Sequence, residues 1–284
     1  MKVIWCEAFD SPMGFEFDYQ GVFCDNKNSL YFFFNKRLDN QSQLAFAKIH
    51  TSGIARVESL RTPSRTGLPR YWFFSGEKLL CENCCLNLNT FSFCDNIPQD
   101  YVDQYHFRER WWGNHLMQDD FVFDEYTISH WGQWGYVCKK NGKIVWKFRG
   151  QGFLYTDIVQ YGDFIAFGTD GQGGHFYIIC LSTGDVLCDI NTHGTNQYAR
   201  KEKTVYLLVG GKQSRVVAVS LDTGEILDGV DLEEQITSCS RIYLWNDRLY
   251  IVAFRNEKRA PYEAVMLCID GTGDGSLSQN ENSN

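Results

Sequence analysis

Proline and long hydrophobic runs are both scarce in this sequence. Only 5 of its 284 residues are Pro, against 25 Gly, and glycine suits tight hairpin turns because it adopts positive φ without a steric penalty. No apolar run approaches the roughly 20 residues that span a membrane. The amino-terminal segment MKVIWCEAFD has no long apolar stretch and reaches an acid at Glu7, so it does not predict a signal peptide. We therefore expect no membrane partner.

Positive charge is in the minority on this chain, which has 27 Lys and Arg against 35 Asp and Glu, a net charge of −8. An acidic surface repels the phosphate backbone, so the composition argues against nucleic acid as a partner. A basic protein is the partner that such a charge attracts over long range. The same charge also keeps a large domain soluble, and this alternative stays open.

Motifs of catalysis and cofactor binding are absent from the sequence. It has no Gly-x-Ser-x-Gly nucleophile elbow, and its six histidines occur singly, without the His-Glu-x-x-His spacing of a zinc enzyme. The glycine-rich stretch Asp170–His175 lacks the Lys-Ser/Thr of a phosphate loop. The sequence therefore predicts no catalytic residues, no metal site and no cofactor. Which distant side chains converge in the fold is left open.

The 11 cysteines do not form the pattern of a disulfide framework, because their number is odd and the chain is long. Most lie in apolar runs, where a free cysteine packs as a small hydrophobic residue. Free thiols favour a reducing, cytoplasmic location. One CxxC, Cys81 to Cys84, lies near Cys85 and Cys94, but zinc usually needs a second such pair, so packing within strands is predicted. A further role for these four cysteines is left open.

The sequence is rich in aromatic residues, at 15%, and it contains a repeated turn motif. The segment Leu181–Cys188 (LSTGDVLC) recurs 40 residues later as Leu221–Asp228 (LDTGEILD), and Gly142 lies 42 residues before Gly184. Each time an apolar strand enters a polar turn with glycine and a second apolar strand leaves it, as in a β-hairpin. With shorter strands upstream, each unit of about 40 residues holds four strands, which is the pattern of a β-propeller blade.

Turn positions near residues 53, 89, 142, 184, 224 and 271 predict about six such units, with five or seven left open. The last unit lacks its final strand, because only a polar segment follows Gly271. The amino-terminal Lys2–Trp5 (KVIW) resembles Lys143–Trp146 (KIVW), the last strand of an earlier unit, and is predicted to supply the missing strand. We thus expect an all-β fold, a single β-propeller over residues 1–271 closed by its amino-terminal strand, with a disordered tail at 272–284.

Two segments of the second half resemble the blade repeat of quinoprotein-like (PQQ-like) and WD40-like β-propellers. They are FIAFGTDG…HFYIICLSTGDVL over 164–187 and VYLLVGG…RVVAVSLDTGEIL over 205–227, and the resemblance extends loosely to the first half. Quinoprotein dehydrogenases of this family stack a quinone on a pair of adjacent cysteines, and Cys84 and Cys85 resemble that pair. Those enzymes are longer, usually eight-bladed and exported, and they bind calcium through carboxylates that are not evident here, so the activity is not carried over.

The most unusual stretch, Tyr105–His115 (YHFRERWWGNH), falls in the long interval between the second and third units. It mixes tryptophan with arginine, the residues enriched at the centres of protein interfaces, and two more tryptophans follow at 131 and 134. We predict that the partner is bound by Arg108, Arg110, Trp111, Trp112, His115, Trp131 and Trp134. The alternative is that the rings fill the gap between adjacent blades, with arginine stems packed beside them.

The function that follows is that of a non-catalytic, monomeric, cytoplasmic propeller that binds a protein partner as a scaffold or an inhibitor. The acidic charge suggests one variety, a bacterial immunity-type protein that neutralises a basic toxin. A different class also stays open, a propeller with a small-molecule, sugar or catalytic site in its central channel. A third alternative is a structural role within a larger complex.

Overall fold

The glycine turns of the repeat lie between antiparallel strands. At the turn predicted near residue 142, Asn141 and Gly142 both have positive φ, 49° and 78°, as a two-residue type I′ hairpin requires. Gly184 and Gly224 have φ of 83° and 72° at the two later turns. These positions carry glycine because a side chain strains the backbone there. The repeated turn motif therefore marks real hairpins, as the sequence predicts.

The structure, a computed structural model, describes residues 1–9, 21–26, 29–38, 41–60, 73–75, 78–81, 84–94, 120–131, 135–154, 158–170, 173–195, 197–237, 240–255 and 263–271. All regular elements in these ranges are β-strands, so the all-β prediction is confirmed. Within them there is accordingly no helix that is long and apolar enough to cross a membrane. The segment 272–284, predicted as a disordered tail, lies outside the described residues.

The described strands form six antiparallel sheets, numbered here in chain order, and the first three have four strands each. Sheet 1 contains β2 (Val22–Asn26), β3 (Ser29–Leu38), β4 (Gln41–His50) and β5 (Gly53–Leu60). Sheet 2 contains β6 (Phe73–Ser75), β7 (Lys78–Cys81), β8 (Cys84–Asn87) and β9 (Ser92–Cys94). Sheet 3 contains β10 (Phe121–Phe123), β11 (Tyr126–Trp131), β12 (Gly135–Lys140) and β13 (Lys143–Arg149).

The later sheets follow the same meander, in which consecutive strands pair. Sheet 4 contains β14 (Phe153–Leu154), β15 (Val159–Tyr161), β16 (Phe164–Asp170), β17 (His175–Cys180) and β18 (Val186–Asn191). Its first strand is interrupted, because β14 and β15 both pair with β16. Sheet 5 contains β19 (Tyr198–Lys201), β20 (Thr204–Val209), β21 (Ser214–Ser220) and β22 (Ile226–Leu232). Sheet 6 contains β23 (Arg241–Trp245), β24 (Arg248–Arg255) and β25 (Glu263–Asp270).

The amino-terminal strand β1 (Lys2–Ala8) completes sheet 6 by pairing antiparallel with β25. Lys2 lies opposite Asp270 and Ala8 lies opposite Val265, with a bulge between Val3 and Trp5. A register shift at the same stage of the meander occurs in sheet 3, between Cys138 and Lys139 of β12, where it pairs with β13. The segment that resembles Lys143–Trp146 therefore occupies the equivalent place in the last sheet.

Both faces of most sheets are buried, which explains why their central strands are almost continuously apolar. In β3, Phe32 and Phe34 belong to a cluster shared with sheet 6, whereas Tyr31 and Phe33 belong to a cluster shared with sheet 2. Successive side chains of a strand point to opposite faces, so one strand serves two interfaces. Fully burying one such aromatic or aliphatic side chain stabilises the fold by roughly 1.5–3 kcal/mol.

Five buried clusters join the sheets pairwise in the described part of the chain. They join sheet 2 to sheet 1, sheet 1 to sheet 6, sheet 6 to sheet 5, sheet 5 to sheet 4, and sheet 4 to sheet 3. Sheets 1 and 6 stand at opposite ends of the chain, yet they share a core that contains Phe32, Tyr250 and Met266. Packing therefore follows a path that leads from the last sheet back to the first.

Every sheet has two different ends, because each is a meander. We call the end where β4 turns into β5, β12 into β13 and β17 into β18 the turn end. The opposite end, where each sheet starts and finishes, is the loop end. Contacts align the turn ends of neighbouring sheets: Lys201 Nζ lies 2.9 Å from Asp247 Oδ1, between sheets 5 and 6, and Arg248 Nη1 donates to the carbonyl of Thr51 over 3.1 Å, between sheets 6 and 1.

Of the cysteines whose side chains the structure describes, six are free: Cys6, Cys24, Cys138, Cys180, Cys188 and Cys268. The expectation of a free thiol is wrong for Cys85, which is buried and disulfide-bonded. The strand register, which the spacing of cysteines along the chain does not reveal, sets position 85 of β8 directly opposite position 94 of β9. The side chains of Cys81, Cys84 and Cys94, and the whole of Cys239, lie outside the described part.

Candidate partner-binding surface

Trp131 is the predicted partner-binding residue that the structure describes, and it is half exposed, with 50% of its surface accessible. It ends β11 at the loop end of sheet 3 and lies opposite Gly135, the first residue of β12. A Cβ at position 135 would lie 2.1 Å from the Trp131 carbonyl oxygen, so only glycine fits there. Trp131 and Gly135 therefore approach closely, and half of the Trp131 surface remains exposed to solvent.

A positively charged side chain lies over the Trp131 ring. Lys147 Nζ, from the outermost strand of the same sheet, is 4.5 Å from the ring centroid. An exposed cation–π contact of this kind stabilises by about 0.5–1 kcal/mol, enough to bias the indole orientation. Arg149 follows two residues later on the same strand and is also exposed. The surface around Trp131 is thus an aromatic ring beside basic side chains, within a chain that is acidic overall.

The remaining predicted residues lie outside the described part of the chain: Arg108, Arg110, Trp111, Trp112, His115 and Trp134. The described residues that flank these stretches, Asp120, Trp131 and Gly135, lie at the loop end of sheet 3. Ser129 Oγ donates to a carboxylate oxygen of Asp120, which links β11 to the residue just before β10.

A histidine–aspartate pair at the loop end of sheet 4 is a feature that sequence reasoning missed. His175 Nδ1 is hydrogen bonded to Asp189 Oδ1, and the imidazole stacks on Tyr177 with 5.6 Å between centroids and 12° between planes. The Tyr177 hydroxyl accepts the Gln151 N–H over 2.8 Å, and burial raises the pKa of Tyr177 to about 12. The feature that would have revealed this pair is the register of the β17–β18 hairpin, which sets Tyr177 opposite Asp189.

The His175–Asp189 pair orients an imidazole, but the nearby Thr169 hydroxyl is already hydrogen bonded to the backbone. Thr169 Oγ1 lies 2.6 Å from the Gln151 carbonyl, 3.2 Å from the His175 carbonyl and 2.8 Å from the His175 N–H. These bonds hold the β16–β17 connection rather than present a nucleophile. The arrangement therefore serves to position the loop end of sheet 4.

A second cluster that the sequence does not reveal connects Cys6 of β1 with Glu234, which follows β22, and with Arg255 of β24. The Cys6 thiol donates to Glu234 Oε1 over 3.1 Å, and Arg255 Nε lies 3.7 Å from the same oxygen. Burial, followed by the hydrogen bond to the Glu234 carboxylate, raises the pKa of Cys6 to about 11. The thiol is thus protonated near neutral pH and acts as a hydrogen-bond donor, not as a nucleophile.

The described residues contain no group of three or more His, Cys, Asp or Glu side chains that could hold a metal ion. The His175–Asp189 and Cys6–Glu234 pairs lie on different sheets and do not combine into one centre. Among the described residues, the loop end presents the exposed Trp131 ring together with polar pairs that are already hydrogen bonded.

Comparison with known proteins gives similarity of structure alone. No protein family and no curated protein matches the chain. Among solved structures it is similar to BamB from Moraxella catarrhalis, with 10% identity over 94% of this chain and 97% of that one and a TM-score of 0.39. It is also similar to the WD40 β-propeller domain of Doa1 (9% identity, 93% and 97% covered, TM-score 0.41). A third is the β-propeller domain of Myceliophteria thermophila Cps50 (Swd1), with 11% identity, 91% and 98% covered and a TM-score of 0.45.

Proposed function

We propose that this chain is a protein-binding β-propeller of six blades, closed by β1, that contacts its partner at the loop end of sheet 3. The four-stranded meanders, the pairing of β1 with β25 and the core shared by sheets 1 and 6 support the ring. With β1 in place, sheet 6 has four strands, as sheets 1, 2, 3 and 5 do, and the edge of β25 is paired. The cytoplasmic location stays a prediction.

The observation that carries the binding proposal is the exposed indole of Trp131. Tryptophan is the residue most enriched at the energetic centres of protein interfaces, where burial of its ring stabilises the complex. Lys147 lies over the ring, and half of the Trp131 surface is exposed to solvent. Truncating such a residue costs at least about 2 kcal/mol of binding free energy where it is central to an interface.

The charge of the partner has a local and a global component. Lys147 and Arg149 beside Trp131 favour acidic groups at the contact itself, whereas the net charge of −8 favours the approach of a basic protein. If this chain inhibits a basic protein, as an immunity-type protein does, that basic partner therefore needs acidic residues around the position that receives Trp131. Association measured across a salt series separates the two components, because only long-range attraction is screened at moderate ionic strength.

The test is capture of partners by three immobilised proteins: the wild type, Trp131→Ala and Val122→Ala. Val122 is the matched control because it is also an exposed apolar residue of sheet 3. A protein captured by the wild type and by Val122→Ala, and lost with Trp131→Ala, supports the proposal. Equal capture by all three proteins, or no capture at any salt concentration, contradicts it.

A sugar-binding propeller is the competing class, since an exposed indole also stacks on sugar rings. Thermal unfolding in the presence of a panel of sugars distinguishes the two classes, because a ligand that binds only the folded state raises the melting temperature. A rise that disappears in Trp131→Ala favours the sugar-binding function over the protein-binding one.

A further inference from the structure

Exposed aliphatic residues recur where the outermost strands of several sheets begin. They are Val3 and Ile4 on β1, Ile144 and Val145 on β13, Val186 on β18, and Ile226 and Leu227 on β22. Each of these strands stands at the end of its sheet, so one edge has no neighbour within the sheet. Such an edge can pair with another chain unless charge opposes the contact.

The edges of β13 and β22 carry charges of opposite sign. Strand β13 has the sequence KIVWKFR, with exposed Lys143, Lys147 and Arg149 and no acid. Strand β22 and the residue before it read EILDGVDL, with exposed Glu225 and Asp231, and residues 216–240 include no Lys or Arg. Like charge keeps β13 from pairing with another β13, and β22 from pairing with another β22. It does not keep β13 from pairing with β22.

The two edges also match in position, because both follow the same turn of the repeat. Aligned from the turn glycines, Lys143 corresponds to Glu225, Ile144 to Ile226, Val145 to Leu227 and Arg149 to Asp231. The four aliphatic side chains are 41–58% exposed. A parallel pairing in this register sets opposite charges and aliphatic side chains opposite each other, and both kinds of cross-strand pair favour association.

Some of these charges already have partners within the chain, and the contacts are compatible with an additional neighbour. Asp231 lies 3.7 Å from Arg215, and Lys147 lies over the Trp131 ring. Asp228, which is also on β22, bonds the Gly229 N–H and the Met1 ammonium group, so it faces the chain itself. Glu225 likewise accepts a hydrogen bond from Thr223 Oγ1 over 3.3 Å. The charges that stay exposed to an external strand are Lys143 and Arg149 on one edge and Glu225 and Asp231 on the other.

We propose that β13 of one copy pairs edge to edge with β22 of a second copy. A single β13–β22 contact joins different strands of the two copies, so it is heterologous, and further contacts of the same kind add further copies. It produces chains or larger rings as concentration rises. One strand pair is small for a protein interface, so association is weak and is reduced by salt. This inference does not depend on the proposed function, and it differs from the monomer that the sequence predicts.

The test is a charge exchange followed by sedimentation velocity over a concentration series. One variant carries Lys143→Glu and Arg149→Glu, so that both of its edges are acidic. The other carries Glu225→Lys and Asp231→Lys, so that both edges are basic. Each variant alone is expected to associate at least about tenfold more weakly than the wild type, because like charges now face each other. An equimolar mixture is expected to recover association.

Two further variants distinguish this contact from non-specific hydrophobic association. Leu227→Ser is expected to weaken association, whereas Val186→Ser, at the exposed start of β18, is expected to leave it unchanged. Thermal unfolding confirms that all variants are folded, which is expected because every substituted side chain is at least partly exposed. A wild type that remains monomeric at millimolar concentration overturns the proposal. So does a mixture of the charge variants that fails to recover association.

Discussion

Trp5 donates its indole N–H to the carbonyl oxygen of Thr51 over 3.0 Å, from β1 in sheet 6 to the turn of sheet 1. Trp146 makes the equivalent contact from sheet 3 to sheet 4, where its indole N–H donates to the Leu181 carbonyl over 2.8 Å. Thr51 and Leu181 both directly follow the third strand of their meanders. The amino-terminal strand therefore joins the last sheet to the first through the same contact that joins two sheets adjacent in the chain.

Replacing Trp5 with Phe tests the energy of this link. We expect a loss of about 1 kcal/mol in the free energy of unfolding, the typical value for one hydrogen bond, measured by urea denaturation. Trp146→Phe is the matched control and should lose more, because Trp146 is buried and the Leu181 carbonyl is left without that donor. A Trp5→Phe protein as stable as the wild type would show that the indole N–H adds nothing to the link.

Deleting residues 1–9 tests the whole strand rather than one bond. The deletion exposes the edge of β25 and removes Phe9, Trp5 and Cys6 from their packing positions. We expect a protein that unfolds or aggregates, because β25 is apolar and its edge is then unpaired. Static light scattering and circular dichroism measure this outcome. A soluble deletion protein with the wild-type melting temperature contradicts the role assigned to β1.

Alanine at Gly184 and at Gly142 separates backbone strain from packing. Both glycines have φ near +80°, so alanine at either position costs about 1 kcal/mol through the left-handed backbone. A Cβ at 184 would also lie 2.6 Å from Trp146 Cγ, whereas a Cβ at 142 meets nothing within 4 Å. We expect Gly184→Ala to be the more destabilising by about 1–3 kcal/mol in urea unfolding. Equal effects would mean that the Trp146 contact is loose.

Thiol reactivity should distinguish two partly exposed cysteines. Burial acts to raise the pKa of Cys180, but hydrogen bonds from Ser182 and Thr183 outweigh it, so the pKa lies below its ordinary value. The pKa of Cys6 is raised to about 11, chiefly by burial. Iodoacetamide at pH 8 should therefore alkylate Cys180 before Cys6, because the thiolate is the reactive form. Peptide mapping by mass spectrometry, with Cys180→Ser as a control, detects the order. Faster alkylation of Cys6 would contradict the Glu234 contact.

Alkaline pH should weaken the packing at Tyr177. Burial raises its pKa in the folded state from 10 to about 12, so the folded protein binds this proton more tightly than the unfolded chain does. The contribution to stability is therefore complete below pH 10 and is lost as the pH rises through 12. Urea unfolding at pH 9 to 12 should show a steeper loss for the wild type than for Tyr177→Phe. Parallel curves for the two proteins would assign the loss to other groups.

Local features of the sequence were sufficient for the strands and hairpins. A two-residue turn such as Asn141-Gly142 joins strands that are adjacent in the chain, so its chemistry and the flanking apolar runs contain the needed information. The first two strands of sheet 3 have no distinctive pattern in the sequence. Strand β10 has three residues and β11 follows after a turn at Asp124 and Glu125, so this hairpin was included in the long interval after residue 89. Three residues are too few for an alternating pattern to be distinctive.

The sequence by itself determined that the chain is all-β, that its turns lie at Gly142, Gly184 and Gly224, and that its first strand resembles a last strand. Only the tertiary structure decided which side chains meet across sheets. Cys6 meets Glu234 from 228 positions away, and His175 meets Asp189 through strand register. Hairpin formation depends on residues close in sequence, whereas these contacts depend on how whole sheets pack. Trp131 illustrates both, because its tryptophan was visible in the sequence but its exposure beside Lys147 was not.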